Sequence, residues 1–218
     1  ILERFFNEVP SSSDLNNLSE DKLQVLIKKH INSSIKAISQ SSFKFIESQR
    51  LTKIINEYIK LEKNRAYFQV IKTESESKVD VNGLQFSTRI DRMDQMEDGT
   101  KLIIDYKTGQ NVNLSQLTGD PLDQAQLPIY AITNTVDGVA FATVNSKDCQ
   151  FKAITKNKDG LPLSQQMMKR MPEWNEQLSE WKLELNSASQ QFQEGVAEVL
   201  PTTNACDYCD YDLLCRFE

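Results

Sequence analysis

Asp91, Asp105 and Lys107 are the residues whose types and spacing could do chemistry. Strand texture runs from Arg89 to Met93, and again through Lys101-Leu102-Ile103-Ile104-Asp105-Tyr106-Lys107, with Glu97-Asp98-Gly99-Thr100 as a turn between them. If the connection is three residues, Glu97-Asp98-Gly99 with Gly99 left-handed, Asp91 falls directly opposite Asp105. Directly opposed residues on antiparallel strands share a face with Cβ atoms ~5 Å apart. Lys107, two residues on, shares that face. A two-residue turn would shift the pairing by one and split the carboxylates.

Two carboxylates so close repel, and one would be forced to keep its proton unless a cation lay between them. A hard divalent ion such as Mg²⁺ suits the place, held by one or two carboxylates with water and phosphate oxygens. It polarises a phosphoryl group and lowers the pKa of its water. Lys107 would then orient or deprotonate that water, or neutralise charge developing on the phosphate. Phosphodiester hydrolysis is the reaction this set fits. Alternating Asp and Lys on a strand also make an ordinary solvated face, and carboxylate pairs occur in structural networks. Spacing alone leaves both readings open.

These residues need a framework. An amphipathic piece, 1–9, is broken by Pro10 and three serines. A helix then starts at Ser19 as N-cap, with Leu23, Leu26, Ile27, Ile31, Ile35 and Ile38 on one face. A second helix is expected over about 42–63, with Phe45, Ile46, Ile54, Ile55, Tyr58 and Ile59 on its apolar side. From residue 67 the texture turns to strands. Asn82-Gly83, between 78–81 and 84–87, is the strongest short hairpin signal, and the segments through Lys107 make an antiparallel meander. A polar loop, about 110–121, leads to a short helix near 122–133, strands at 138–144 and 149–154, and helix from about 164 to 199 interrupted near Pro172. Trp174, Trp181 and Phe192, at helical spacing, read as core. The sum is an α/β fold, a mixed sheet flanked by helices. It divides into an N-terminal helical part (1–65), a core sheet with the chemistry (66–160), C-terminal helices (161–200) and a cysteine tail (201–218).

With 39% hydrophobic and 26% charged residues, the 218-residue chain can build both a core and a solvated surface. The net charge of -6 gives no overall field for nucleic acid, so contact with DNA requires a local basic patch or metal ions. No apolar run approaches the ~20 residues of a membrane span. The opening Ile1-Leu2-Glu3-Arg4 lacks the form of a secretory leader, and a cytoplasmic setting is expected. The missing initiator Met reads as a fragment of something longer. A single histidine, His30, argues against Ser-His-Asp, Cys-His and multi-His chemistry. Cys206, Cys209 and Cys215 are spaced C-x2-C-x5-C, which suits zinc or an iron–sulfur cluster with an unknown fourth ligand. Cys149, in strand-like surroundings, reads as a structural thiol.

Asp91 followed by Asp105-Tyr106-Lys107 resembles the D…(D/E)-x-K signature of the PD-(D/E)xK nuclease superfamily. Arg89-Ile90-Asp91-Arg92-Met93-Asp94 is similar to the "GRIDRID" strand of its RecB/AddB-like branch, with Thr88 where Gly is usual. Ile103-Ile104-Asp105-Tyr106-Lys107-Thr108-Gly109 is similar to its "IIDYKTG" strand, and Gln126-Leu127-Pro128-Ile129-Tyr130 to its "QLPLY" helix. The resemblance implies a restriction-endonuclease-like fold, with Asp91 and Asp105 as metal ligands and the carbonyl of Tyr106 as a backbone ligand. Lys107 would be the catalytic lysine, and Gln126 and Tyr130 would shape the site and contact the strand. Glu74 stands where such nucleases often carry a further acid. Arg89 and Arg92 read equally well as salt-bridge partners of Glu74 or Asp94. Ile1 to Phe6 resembles a segment that follows a ligand His in the family; that His would precede residue 1, and His30 would sit on a helix flank.

The resemblance further implies a Mg²⁺- or Mn²⁺-dependent DNA exonuclease domain joined to a helicase subunit or helicase-like domain, working in recombination and repair. Cys206, Cys209 and Cys215 would hold a [4Fe–4S] cluster with a fourth cysteine from upstream, so the site would be incomplete here. A nuclease fold retained for DNA binding or subunit assembly is the alternative.

Overall fold

The computed structural model describes residues 1–109, 112–119, 122–196, 198 and 205–211. Turn chemistry sets the sheet. β1 (Phe68–Val81) and β2 (Leu84–Met96) are joined by Asn82-Gly83, left-handed at both residues (φ 49° and 88°) as a two-residue hairpin turn requires. β2 and β3 (Lys101–Lys107) are joined by Glu97-Asp98-Gly99, with Gly99 at φ 83°. The Met96 N–H donates to Thr100 O at 2.8 Å and the Gly99 N–H to Met96 O at 3.0 Å. The pairs that follow, Gln95–Lys101, Asp94–Leu102, Met93–Ile103 and Arg92–Ile104, are the register of a three-residue connection. β4 (Gly138–Val144) lies parallel to β3, and β5 (Cys149–Thr155) antiparallel to β4. The strand order is β1-β2-β3-β4-β5. A parallel step needs a crossover; here it includes a 3-10 turn, Leu114–Leu117, and helix α5 (Gln126–Thr133).

Alternation along the central strands sorts two cores. Leu102, Ile104, Ala140 and Ala142 face the N-terminal helices α1 (Leu2–Glu8), α2 (Ser12–Asn17), α3 (Glu20–Ser34) and α4 (Ser41–Lys63). Ile103, Val139 and Phe141 face the other way, toward α5 and α7 (Trp174–Gln193), where Trp174 and Trp181 meet edge to face at 5.9 Å. Helices on both faces of a five-stranded mixed sheet make the restriction-endonuclease-like α/β architecture. No helix among the described residues is long and apolar enough to cross a membrane.

Local details depart from the pattern reading. Ser11, placed in a break, instead caps α2, its Oγ accepting the Asp14 N–H at 3.0 Å. Phe45 and Ile46 are 63% and 61% exposed, because buried residues begin only at Ile54 and the first turns of α4 overhang the core. Phe192 is 72% exposed in the last turn of α7 and is not core. α6 (Gln165–Arg170) and α7 are separate helices; Glu173 caps α7, accepting the Asn175 N–H at 2.7 Å. His30 is buried rather than on a flank, near Phe5 and with Nε2 3.3 Å from Glu8.

Gly138 stands in β4 where a side chain has no room. A Cβ there would lie 2.5 Å from Thr155 Oγ1, 2.7 Å from Thr155 Cβ and 2.9 Å from Leu102 Cδ1. A β-branched neighbour cannot swing clear, so Gly138→Ala should cost about 1–3 kcal/mol. Urea unfolding followed by circular dichroism checks this; an unchanged midpoint would refute it.

Candidate active site

Asp91 sits where the ladders on both sides of β2 lose a rung. Toward β3 the last pair is Arg92–Ile104. At the next position the Asp91 carboxylate itself takes the strand's donor: the Tyr106 N–H donates to Oδ2 at 3.0 Å. Toward β1 the pairs Thr73–Arg92 and Ser75–Ile90 bracket Glu74, leaving it across from Asp91. Glu74 has φ 44°, left-handed backbone that is rare for a residue with a Cβ. Such strain persists where the surroundings fix it, and it gathers at functional sites.

Asp105 and Lys107 complete the group. Lys107 Nζ is 2.9 Å from Asp105 Oδ2 and donates to Gln126 Oε1 at 3.4 Å. Gln126 Nε2 donates to the Tyr130 hydroxyl at 3.1 Å, and that hydroxyl donates to the Arg89 carbonyl at 2.7 Å. One chain of contacts thus runs from β3 through α5 back to β2, next to Asp91. Tyr130 is buried and serves as a brace between α5 and β2. A cavity of about 440 Å³ lies between Phe86, Arg89 and Asp91 on one side and Gln126, Ile129 and Tyr130 on the other. A second, about 300 Å³, is lined by Asp91, Glu74, Arg50, Ile54, Leu2 and Tyr106. Asp91 borders both.

Glu74 is held by Arg89, Nε to Oε2 at 2.5 Å, and Arg92 by Asp94 at 2.7 Å. Both arginines therefore have the salt-bridge partners that were open to them. Arg92 is fully buried, as are Asp94 and Glu62. Glu62 accepts from Arg92 and Arg65, each at 2.8 Å, and Arg65 also lies 2.8 Å from Asp94. Burial pushes the Glu62 carboxyl up, but Arg92 and Arg65 outweigh it and hold it below its ordinary value. Neither Glu62 nor Arg65 stands out in a hydrophobic pattern, but spacing marks the first: Glu62 is four residues beyond Tyr58 on the buried face of α4.

The donor set fits a hard cation. Burial pushes the Asp105 carboxyl above its ordinary value, Lys107 opposing and the Asp91 charge adding. Asp105 Oδ2 is buried, and Lys107 Nζ meets it at 2.9 Å as an ion pair that offsets part of the effect of burial. A buried carboxylate with the Asp91 charge acting on it and one partly exposed ammonium as partner is a place that a divalent ion would suit. Among the described residues no group of three or more His, Cys, Asp or Glu side chains is arranged to hold a metal. A cation here would complete its shell with backbone, water and phosphate oxygens. Cys206, within a 3-10 turn, Ala205–Tyr208, and Cys209, just after it, are free and exposed, whereas Cys215 lies outside the described residues. Cys149, half-buried in β5, is also free.

The family model of the PD-(D/E)XK nuclease superfamily matches residues 1–216. The solved structure titled "Crystal structure of SSO0001" is similar over 99% of this chain and 93% of that chain, at 14% identity and a TM-score of 0.41, a likeness too distant to argue from. No curated protein significantly matches the chain.

Proposed function

We propose that this chain, which belongs to the PD-(D/E)XK nuclease superfamily, hydrolyses DNA phosphodiester bonds with the help of a divalent cation. The observation that carries this reading is the meeting of Asp91, Asp105 and Lys107 at a gap in the sheet, where Asp105 is buried and takes Lys107 as its ion-pair partner. Nucleases of the superfamily generally use Mg²⁺ or Mn²⁺. Asp91, Asp105 and the carbonyl of Tyr106 would hold the ion, which supplies Lewis-acid stabilisation of the phosphoryl group. Lys107, steered by Asp105 and Gln126, places its ammonium beside the scissile phosphate and neutralises charge that develops there. Gln126 fixes that lysine, and Tyr130 fixes Gln126. Arg89, largely exposed at the rim, offers a phosphate contact once Glu74 releases it.

The motif words favour the RecB/AddB-like branch, hence exonuclease action beside a helicase subunit or helicase-like domain in recombination and repair. The C-x2-C-x5-C spacing of Cys206, Cys209 and Cys215 suits a [4Fe–4S] cluster completed by a fourth ligand, and the exposed thiols of Cys206 and Cys209 suit two of its positions.

Digestion of linear single- and double-stranded DNA with Mg²⁺ or Mn²⁺ tests the reading. Cleavage should require the ion and fall about 10²–10³-fold in Lys107→Ala. Intact DNA in every reaction of the unmodified chain would instead favour a nuclease-fold module for DNA binding or subunit assembly.

A further inference from the structure

The main chain of Tyr106 borders the reacting group, but its side chain runs the other way, into the core beneath α4. There the hydroxyl accepts a hydrogen bond from Arg92 Nη1 at 3.3 Å, and the ring meets Tyr58 edge-on at 5.8 Å. Arg92 is itself held on several sides. Its Nε and Nη2 donate to the two Asp94 oxygens at 2.7 and 2.8 Å, its Nη1 donates to Glu62 at 2.8 Å, and its guanidinium lies 3.8 Å from the Phe6 ring centre. Arg92 is also the residue next to Asp91. The Asp91 carboxylate is therefore approached from two directions by one rigid assembly. One is the chain itself, through Arg92; the other is the N–H of Tyr106.

We propose that Tyr106 is a positioning residue whose hydroxyl, held by Arg92, sets the β3 backbone so that its N–H takes Asp91 Oδ2 and leaves Oδ1 presented to a divalent cation. This rests on the metal-dependent reading above. The physical reason is specific to the place. The β2–β3 ladder stops at Arg92–Ile104, so on the β2 side no backbone rung reaches Tyr106, while β4 holds the strand along its other edge through Asp105–Phe141, Tyr106–Ala142 and Lys107–Thr143. On the β2 side the tie is the contact of the Tyr106 hydroxyl with Arg92, a β2 residue, and it sets how the strand edge is turned toward Asp91. Partners that orient a metal ligand from outside the coordination shell typically carry 10–100-fold in metal affinity.

Mn²⁺ titrated by calorimetry into the full chain, Tyr106→Phe and Tyr58→Phe tests the assignment without relying on turnover. Tyr58 is the control. Its hydroxyl donates to Glu62 within the same buried assembly, but it does not reach Asp91 through a backbone N–H. Both changes keep the ring and remove one oxygen. We expect Mn²⁺ binding about tenfold weaker in Tyr106→Phe and nearly unchanged in Tyr58→Phe. Equal affinity in the parent and Tyr106→Phe overturns the assignment, and so does an equal loss in both variants, which would mark a purely structural effect. A parent chain that binds no Mn²⁺ overturns the metal-dependent reading itself, and this assignment with it.

Discussion

Asp105→Asn should melt at a higher temperature than the parent chain in chelator-treated buffer, yet cut DNA about 10³-fold more slowly when Mg²⁺ or Mn²⁺ is supplied. The two effects have one cause. Asp105 is buried, its carboxyl is pushed above its ordinary value by burial first and by Asp91 as well, and Lys107 compensates only in part. A carboxyl with a folded-state pKa above the unfolded one stabilises the protein fully only when protonated, below the unfolded pKa. That contribution is lost as pH rises through the folded value, so near neutrality the charge is a burden. Asparagine keeps the shape and removes the charge. Lys107 loses its anion, but its side chain is 27% exposed and keeps Gln126. Each kcal/mol recovered should raise the melting temperature by about 2–4 °C. The gap between variant and parent should narrow as pH falls through the raised carboxyl value. Melting curves at several pH values, with and without Mn²⁺, report all of this. A variant that melts lower at neutral pH, or that still cuts DNA at the parent rate, would remove Asp105 from the proposed role.

The register that leads toward Asp91 and Asp105 was legible because one glycine decides it. Gly99 is the only residue of Glu97-Asp98-Gly99 that takes φ > 0 without strain, and it stands at 83°. Once the turn is fixed, the pairs from Gln95–Lys101 to Arg92–Ile104 follow, and the ladder stops one residue short of Asp91. The helices that cover one face were legible from period 3.6 in α3 and the second half of α4; β3 shows only an unbroken apolar run, Leu102-Ile103-Ile104, because a strand covered on both faces is apolar on both. What escaped the pattern reading shares a physical reason: it depends on groups that pattern rules assign to the surface. The Arg92–Asp94 pair was open to the sequence, but its burial and the part of Glu62 and Arg65 were not: all four count as polar in any hydrophobic pattern, yet they are two cations and two anions paired with one another in the core. The missing rung at Asp91 was equally hidden, since it needs Glu74 in a left-handed conformation that its side chain disfavours. The exposed Phe45 and Ile46 show the converse error, apolar residues on a helix that outruns the core it covers.

Arg92→Leu should be the most destabilising single change that leaves the site residues untouched. The guanidinium donates to Asp94 through two nitrogens, to Glu62 and to the Tyr106 hydroxyl, between the rings of Phe6 and Phe68 at 3.8 and 4.8 Å. Leucine would fill part of the space but leave Glu62 and Asp94 sharing Arg65 alone, one uncompensated negative charge in the interior. Breaking a buried pair by removing one partner costs about 3–5 kcal/mol, which for a chain of this size is a fall in melting temperature of roughly 10 °C. Removing the opposite charge as well separates charge from packing. Arg92→Leu combined with Asp94→Leu leaves Arg65 facing Glu62, a balanced pair, and should regain more than half of the loss even though it deletes more hydrogen bonds. If the double variant is instead less stable than the single one, shape and hydrogen bonding hold β2 against α4, and charge balance does not. If Arg92→Leu costs less than about 1 kcal/mol, water enters this region and the assembly is not the dry anchor that the Asp91 strand requires.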